Sequence, residues 1–382
     1  MKKYFIINLA LAGALSACLF TGCGKDGNSY CDEGIKCFND SRFSEAEEYF
    51  EKAVKSDPDN ADYLVYLGMA QIETLDYEGA LNSFDSAISY DDECVDAYRG
   101  KGIIYFRQKD YNSSMEQMKK AMDVSQSHDE IYMDALKYYA SCQYHLKDYE
   151  GAVSSYTKLI SDAGKADKAE LYYLRGTAYI KLKDENNAAL DYESSLDIED
   201  ECFETYCNMY NNFVEAGYID RGESYLKRLL DMDSEDKLLS GKAYYNLGEY
   251  EKAEDALLDA YNSGDKEAAY YLAMAYEALE NYAEADSLYE EYLGKHPNDA
   301  GIYNQYGAYL IHCGKYDSAL VYIETGLSMK NSECEQELLY NQAVCYEYLR
   351  DFEKAEELFA SYLSKYPNDP NAMKEYEFLM SR

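Results

Sequence analysis

Small and aromatic residues recur along the chain with a period close to 34 residues. Gly34, Gly68 and Gly102 are 34 residues apart, and the tetrapeptide Tyr-Glu-Gly-Ala at residues 77–80 returns at residues 149–152. Within most periods an aromatic residue is followed by alanine three positions later and by a bulky residue four positions after that. Residues three and four apart share one face of a helix, so each period predicts helices that pack along such a face.

A helix–turn–helix unit of this length with these residues resembles the tetratricopeptide repeat. The small residue of the first helix is found at Gly34, Gly68, Gly102, Ala140, Gly176, Gly241, Ala273, Gly307 and Ala343. The alanine of the second helix is found at Ala46, Ala80, Ala152, Ala188, Ala253, Ala285, Ala319 and Ala355. Small residues let two helices approach closely, and large ones fill the space between hairpins.

The resemblance implies an all-α fold, a right-handed superhelical solenoid of about ten hairpins over residues 30–369. Residues 370–382 are predicted to form a C-terminal capping helix, because each hairpin buries its face only against a neighbour. Some units depart from the pattern: Glu185 replaces an aromatic residue, Tyr210 a small residue and Gly222 an alanine. We therefore expect altered hairpin geometry over residues 184–232.

The N-terminus resembles a bacterial lipoprotein signal peptide. Lys2 and Lys3 precede a largely apolar stretch at residues 4–20, which is short for a stable membrane span. Cys18 and Cys23 each follow two small or weakly polar residues and an apolar one. The change to polar residues directly after Cys23 favours it as the lipidated residue, with Cys18 as the alternative.

This signal predicts that residues 1–22 are removed, that residues 23–29 form a short tether, and that the protein is exported and lipid-anchored outside the cytoplasm. Cleavage without lipidation and an uncleaved anchor remain the alternatives.

Composition narrows the classes of partner. The formal net charge of -37 makes nucleic acid an unexpected partner. The eleven cysteines include no Cys-x-x-Cys pair and do not resemble a disulfide framework. Free buried thiols that act as small apolar residues are expected instead.

No combination of residues predicts catalysis. Cys142 and His145 could share a helix face as two metal ligands, but no further ligands accompany them in the sequence. No phosphate-binding glycine loop, metalloprotease helix or nucleophile elbow is present. We therefore predict no enzyme activity, no cofactor and no metal site.

In the tetratricopeptide-repeat family the first helix of each hairpin lines a concave surface that binds peptides or protein segments. The resemblance places on this lining Arg99, Phe106, Arg107, Lys137, Tyr138, Tyr144, Tyr173, Lys181, Asn208 and Asn211. Arginine and tyrosine often anchor interfaces, and the cations favour a partner segment that carries carboxylates. The alternative is a chance scatter of solvated side chains.

Two functions fit these observations. The first is a non-catalytic scaffold, tethered to the outer face of a bacterial membrane, that binds a protein or peptide. The alternative is a lipoprotein that captures a small ligand or glycan in a tyrosine-rich groove. A scaffold needs a long open surface with spaced anchors, whereas ligand capture needs an enclosed pocket.

Overall fold

The computed structural model describes residues 25–125, 130–164, 168–198, 203–232, 236–329 and 333–382. All regular secondary structure in these segments is helical. The first five hairpins are α1 (Lys25–Asn39) with α2 (Phe43–Ser56), α3 (Ala61–Glu73) with α4 (Tyr77–Tyr90), α5 (Val95–Arg107) with α6 (Tyr111–Val124), α7 (Glu130–His145) with α8 (Tyr149–Asp162), and α9 (Lys168–Lys181) with α10 (Glu185–Leu196).

The other five hairpins follow in the same order. They are α11 (Phe203–Glu215) with α12 (Ile219–Asp231), α13 (Lys237–Asn246) with α14 (Tyr250–Asn262), α15 (Lys266–Ala278) with α16 (Tyr282–Lys295), α17 (Ala300–His312) with α18 (Tyr316–Ser328), and α19 (Glu335–Tyr348) with α20 (Phe352–Lys365). A last helix, α21 (Pro370–Met380), follows them. The predicted all-α array of ten hairpins with a C-terminal helix is confirmed.

The chain divides into two compact units. The first unit contains the described residues up to 198 together with Asn212–Tyr218, and the second contains Phe203–Asn211 and Ile219–Arg382. The division falls within the stretch in which the sequence repeat is weakest.

Local chemistry sets the turn inside each hairpin. The second residue after the first helix adopts a left-handed conformation, as at Leu75 with φ 66° and Gly314 with φ 71°. This conformation ends a helix, because it breaks the run of backbone hydrogen bonds. In five hairpins an aspartate then caps the second helix, and at Asp76 the side-chain oxygen accepts a hydrogen bond of 3.0 Å from the amide of Gly79.

The small residues of the first helices are packing positions. A Cβ atom on Gly68 would lie 2.7 Å from the ring of Phe84, and one on Gly100 would lie 2.3 Å from the same ring. Phe84 is fully buried, so it fills the space between its own hairpin and the next. The predicted packing of large side chains against the small residues of the first helices is therefore seen in the core of the first unit.

The first helix starts earlier than the sequence predicted. Residues 25–29, assigned to the tether, form the first turns of α1. Tyr63 Oη donates a hydrogen bond of 2.5 Å to Asn28 Oδ1, and a Cβ atom on Gly27 would meet Ser56 Oγ at 2.5 Å. Contacts with α2 and α3 thus hold these residues in the helix. The signal peptide, Cys18 and Cys23 lie outside the described residues.

The capping helix covers the last hairpin with fewer residues than expected. Leu379 is buried in it, as predicted, together with Ala372. Phe378 remains 44% exposed, and the guanidinium of Arg382 lies 4.8 Å from its ring centre. Helical register explains the difference, because adjacent residues project about 100° apart and only one of the two can face α20.

The cysteines of the described segments are free thiols. Cys31, Cys37, Cys94, Cys142 and Cys345 are buried, and three others are half-buried. Burial raises the pKa of the Cys94 and Cys142 thiols to about 11, so both remain protonated at neutral pH. They act as small apolar core residues. Within the described part of the chain, no helix is both long and apolar enough to cross a bilayer.

Candidate partner-binding face

Successive first helices of the first unit are joined by ion pairs. Arg107 of α5 donates to Glu73 of α3 at 2.8 Å, and Arg99 of α5 donates to Asp134 of α7 at 2.7 Å. Two further pairs continue the series: Lys137 Nζ lies 2.5 Å from Glu170 Oε2, and Lys181 Nζ lies 3.9 Å from Glu215 Oε2. We call the surface formed by the first helices of a unit its first-helix face.

Arg99 is the most buried cation of this series. Its exposed fraction is 7%, and its guanidinium also lies 3.4 Å from Asp96. Burial by itself would lower the pKa of Arg99, but the carboxylates of Asp134 and Asp96 outweigh burial and raise the pKa above its usual value. Arg99 is therefore held charged inside the structure by acids of its own chain.

Two of the predicted aromatic residues are also buried. Tyr138 is 3% exposed and packs edge-on against Phe106 with ring centres 5.3 Å apart. Tyr173 is 9% exposed and stacks on Tyr192 at 5.6 Å. Tyr144 is half-buried against Tyr149 at 5.4 Å. These rings contribute mainly to packing between neighbouring hairpins.

The two predicted asparagines differ in their surroundings. Asn211 is exposed to solvent. Asn208 is half-buried, and its side-chain nitrogen Nδ2 has no hydrogen-bond partner among the described residues. An amide nitrogen without a partner is costly to bury, but this nitrogen is itself closed off from solvent, so it is not offered to a bound segment.

These contacts change the interpretation of the predicted basic patch. The sequence places Arg99, Arg107, Lys137 and Lys181 together, but the structure pairs each of them with a carboxylate of a neighbouring first helix. Arg99, Tyr138 and Tyr173 are too buried to offer their side chains to a partner. The charge available to an acidic segment is therefore small.

The acidic partners were missed although the sequence carries a signal for them. Each acid lies close to one repeat period from its cation: the separations are 34 residues for Glu73 and Arg107, and 35 for Arg99 and Asp134. Side chains one period apart lie side by side on adjacent first helices, so this spacing predicts the pairs.

The second unit joins its first helices through neutral amides as well. Asn341 Nδ2 of α19 donates to Asn304 Oδ1 of α17 at 2.9 Å. Gln305 Nε2 of α17 donates to the carbonyl oxygen of Tyr270 in α15 at 2.9 Å. An ion pair also joins two of these helices, since Lys242 Nζ of α13 lies 2.7 Å from Glu267 Oε1 of α15. The first-helix face of this unit therefore combines amide contacts with the kind of ion pair found in the first unit.

Cys142 and His145 make separate contacts. His145 stacks on Tyr111 with ring centres 4.4 Å apart, whereas Cys142 is fully buried. Among the described residues, no group of three or more His, Cys, Asp or Glu side chains has an arrangement that could hold a metal ion.

A cleft of about 460 Å³ lies in the second unit at the turn between α16 and α17. Its lining includes Lys266, Tyr292, Lys295 and His296. Tyr292 Oη donates to Asp299 Oδ2 at 2.8 Å, and Lys295 Nζ lies 2.5 Å from Glu291. The cleft is lined by this turn and by the ends of the adjacent helices, and the one tyrosine in its lining, Tyr292, lies on a second helix.

Stacked hairpins with a side-chain face built from their first helices define a helical-repeat solenoid. Family models described as tetratricopeptide repeat match residues 38–80, 67–123, 134–165, 169–202, 266–309 and 337–369. Together these segments cover more than half of the chain. The chain is therefore a tetratricopeptide-repeat protein.

Curated relatives share the repeat but are longer than this chain. The chain is 23% identical to TPR repeat-containing protein MJ1428 of Methanocaldococcus jannaschii over 230 residues, which cover 54% of the chain and 38% of that protein. It is 26% identical to human mitochondrial import receptor subunit TOM70 over 107 residues, which cover 26% of the chain and 18% of that protein.

Solved structures with similar helical repeats include yeast Tom70 and a tetratricopeptide repeat protein from Parabacteroides merdae. Yeast Tom70 is 13% identical with a TM-score of 0.49, over 93% of this chain and 88% of that one. The Parabacteroides merdae protein is 15% identical with a TM-score of 0.47, over 66% of this chain and 99% of that one.

Proposed function

We propose that the protein is a non-catalytic scaffold that binds a protein or peptide segment on its first-helix faces. The observation that carries this proposal is that successive first helices are aligned by side-chain contacts into faces with polar and aromatic groups. Such a face suits an extended segment, which can contact one hairpin after another along the array. The lining of the cleft between α16 and α17 contains one tyrosine, Tyr292, so the cleft does not favour the capture of a ligand in a tyrosine-rich groove.

Photo-crosslinking tests which face binds the partner. Ala308 is exposed on the first helix α17, and Val321 is 62% exposed on the second helix α18. With p-benzoylphenylalanine at position 308, ultraviolet irradiation of producing cells is expected to yield an adduct with a protein, detected as a mass increase. The same group at position 321 serves as the matched control. Equal adducts from both positions, or none from position 308, would contradict the proposal.

We further propose that a lipid on Cys23, or alternatively on Cys18, tethers the scaffold to the outer face of the cell membrane. The apolar stretch that ends before Cys23 motivates this proposal. Two acyl chains hold a protein stably on a bilayer, whereas one holds it weakly. Anionic lipids would repel a body of this charge, so the lipid would supply the attachment.

Replacing both Cys18 and Cys23 by serine is expected to move the protein from the membrane pellet to the soluble fraction. Immunoblotting after cell fractionation and a high-salt wash measures the distribution. The single replacements identify the lipidated residue, because only one of them should release the protein. A doubly substituted protein that still pellets with membranes would exclude the lipid anchor.

A further inference from the structure

Two hairpins of the second unit carry a carboxylate where every other hairpin carries an apolar side chain. The position is four residues after the small residue of the first helix, or after Tyr210 in the sixth hairpin. It is occupied elsewhere by Phe38, Ile72, Phe106, Tyr144, Ile180, Val214, Tyr245 and Ile311. In the eighth and tenth hairpins it is Glu277 and Glu347. Packing favours an apolar group there, so these glutamates break a rule that the rest of the chain follows.

The two glutamates lie in matching sequences. Residues 270–277 and residues 340–347 both read Tyr-x-x-Ala-x-x-Tyr-Glu. Burial is the main cause that raises the pKa of Tyr270, followed by Cys334 and then by Glu277. At Tyr340 burial again comes first, followed by Glu375, Asp369 and then Glu347. Tyr270 is 39% exposed and precedes Glu277 by seven residues on α15. Each motif therefore joins a carboxylate and a tyrosine on the same first helix.

Neither carboxylate is neutralised by an ion pair among the described residues. Glu277 accepts one hydrogen bond of 2.8 Å, from Tyr289 Oη. His312 is near enough to influence it electrostatically, without forming an ion pair. Burial raises the pKa of Glu277. Burial and then the carboxylate of Glu375 raise the pKa of Glu347, and the charge of Arg382 partly opposes them. The nearby Arg382 is placed over the rings of Phe352 and Phe378, at 4.2 Å and 4.8 Å.

Carboxylates on the first helices of the first unit differ from these two glutamates because they form ion pairs. There, Glu73, Asp134, Glu170 and Glu215 on the first helices are each within 4.0 Å of a cation on an adjacent first helix. The same kind of contact is incomplete at Glu277 and Glu347. A partly buried carboxylate is costly without a cation, and a partner's lysine or arginine would complete it as Arg107 completes Glu73.

We propose that Glu277 and Glu347 each receive a cationic side chain of one extended protein segment bound along the first-helix face of the second unit. This inference rests on the proposed scaffold function and specifies its partner as basic. The two positions are two first helices apart, which is roughly 20 Å at ordinary helix spacing. An extended chain covers that distance in about six residues. The segment should therefore carry two lysines or arginines about six residues apart, and the acidic surface should speed its approach.

The test selects ligands from a phage-displayed library of random dodecapeptides on the immobilised full-length chain, purified in detergent. The enriched peptides are expected to carry two lysines or arginines at about the predicted separation. A selected peptide should bind the Glu277→Gln, Glu347→Gln double variant at least about tenfold more weakly, because charge-assisted hydrogen bonds are lost. Glutamine keeps the shape of glutamate and can still accept the hydrogen bond from Tyr289, so the fold should persist, as circular dichroism would verify.

Glu324→Gln is the matched control, because Glu324 is exposed on the second helix α18 and its loss changes the net charge equally per site. This variant should bind the selected peptide within about twofold of the original chain, since only the screened long-range field changes. Peptides without excess cations, or equal binding by the double variant, would overturn the inference and leave the scaffold function standing. No enrichment over a blank surface would overturn both.

Discussion

Replacing Ala80 by aspartate is expected to destabilise the second hairpin by about 3–5 kcal/mol, the cost of an uncompensated buried charge. Ala80 is fully buried on α4 and belongs to the core that includes Phe84 and Ile72. A carboxylate there would have no water and no cation to stabilise it. The free energy of unfolding, measured by urea denaturation, should fall accordingly.

The loss is also expected to remain local, because each hairpin of a repeat array contacts only its neighbours. Hydrogen exchange should accelerate over residues 61–121 and remain slow over residues 266–369. Asn82→Asp is the control, because Asn82 is exposed on the same helix and the new carboxylate would stay hydrated. A uniform loss of protection along the chain would refute the independence of the repeats.

Replacing Arg99 by glutamate is expected to cost a comparable free energy, again about 3–5 kcal/mol. The change removes the cation from Asp134 and Asp96 and places a third carboxylate beside them. Thermal unfolding followed by circular dichroism would report the loss as a lower midpoint. The predicted effect follows from burial, because Arg99 is only 7% exposed.

A surface arginine in a similar ion pair provides the comparison. Arg42 lies 2.8 Å from Glu45 and 3.1 Å from Asp40, but all three side chains are exposed. Arg42→Glu should therefore change the unfolding midpoint little, because exposed ion pairs contribute weakly. If Arg99→Glu left stability unchanged and instead weakened partner binding, Arg99 would be an interface residue, as the sequence suggested, and the structural role assigned to it would be wrong.

The fold was predictable because its information is local and repeated. In most hairpins the small residue of the first helix, the alanine of the second helix and the aromatic residue that starts it recur close to every 34 residues. Each recurrence predicts the same pair of helices. A hairpin in which one of these positions is substituted is therefore still predicted from the hairpins on either side of it. Even where Glu185 replaces the aromatic residue, Asp184 still caps α10 through the amide of Asn187 at 3.2 Å.

The start of the first helix and the buried face of the capping helix could not be predicted from the repeat pattern. No repeat signal extends to Lys25, yet Tyr63 and Ser56 contact the first turns of α1 and keep them helical. At the other end, both Leu379 and Phe378 were apolar candidates for covering α20. Only the rotation of α21 about its axis decided that Leu379 is buried and that Phe378 stays exposed.

The sequence by itself determined the repeat, the number of hairpins and the helix faces that pack, since all three follow from spacing along the chain. The tertiary structure alone decided the state of each charge on the first-helix faces. Whether Arg99 is a free cation or a buried structural group depends on Asp134, a residue one period away that only helix packing brings within 2.7 Å. Glu277 accepts a hydrogen bond from the neutral Tyr289 and forms no ion pair among the described residues. Coulomb energy depends on distance and burial, and neither is written in the residue type.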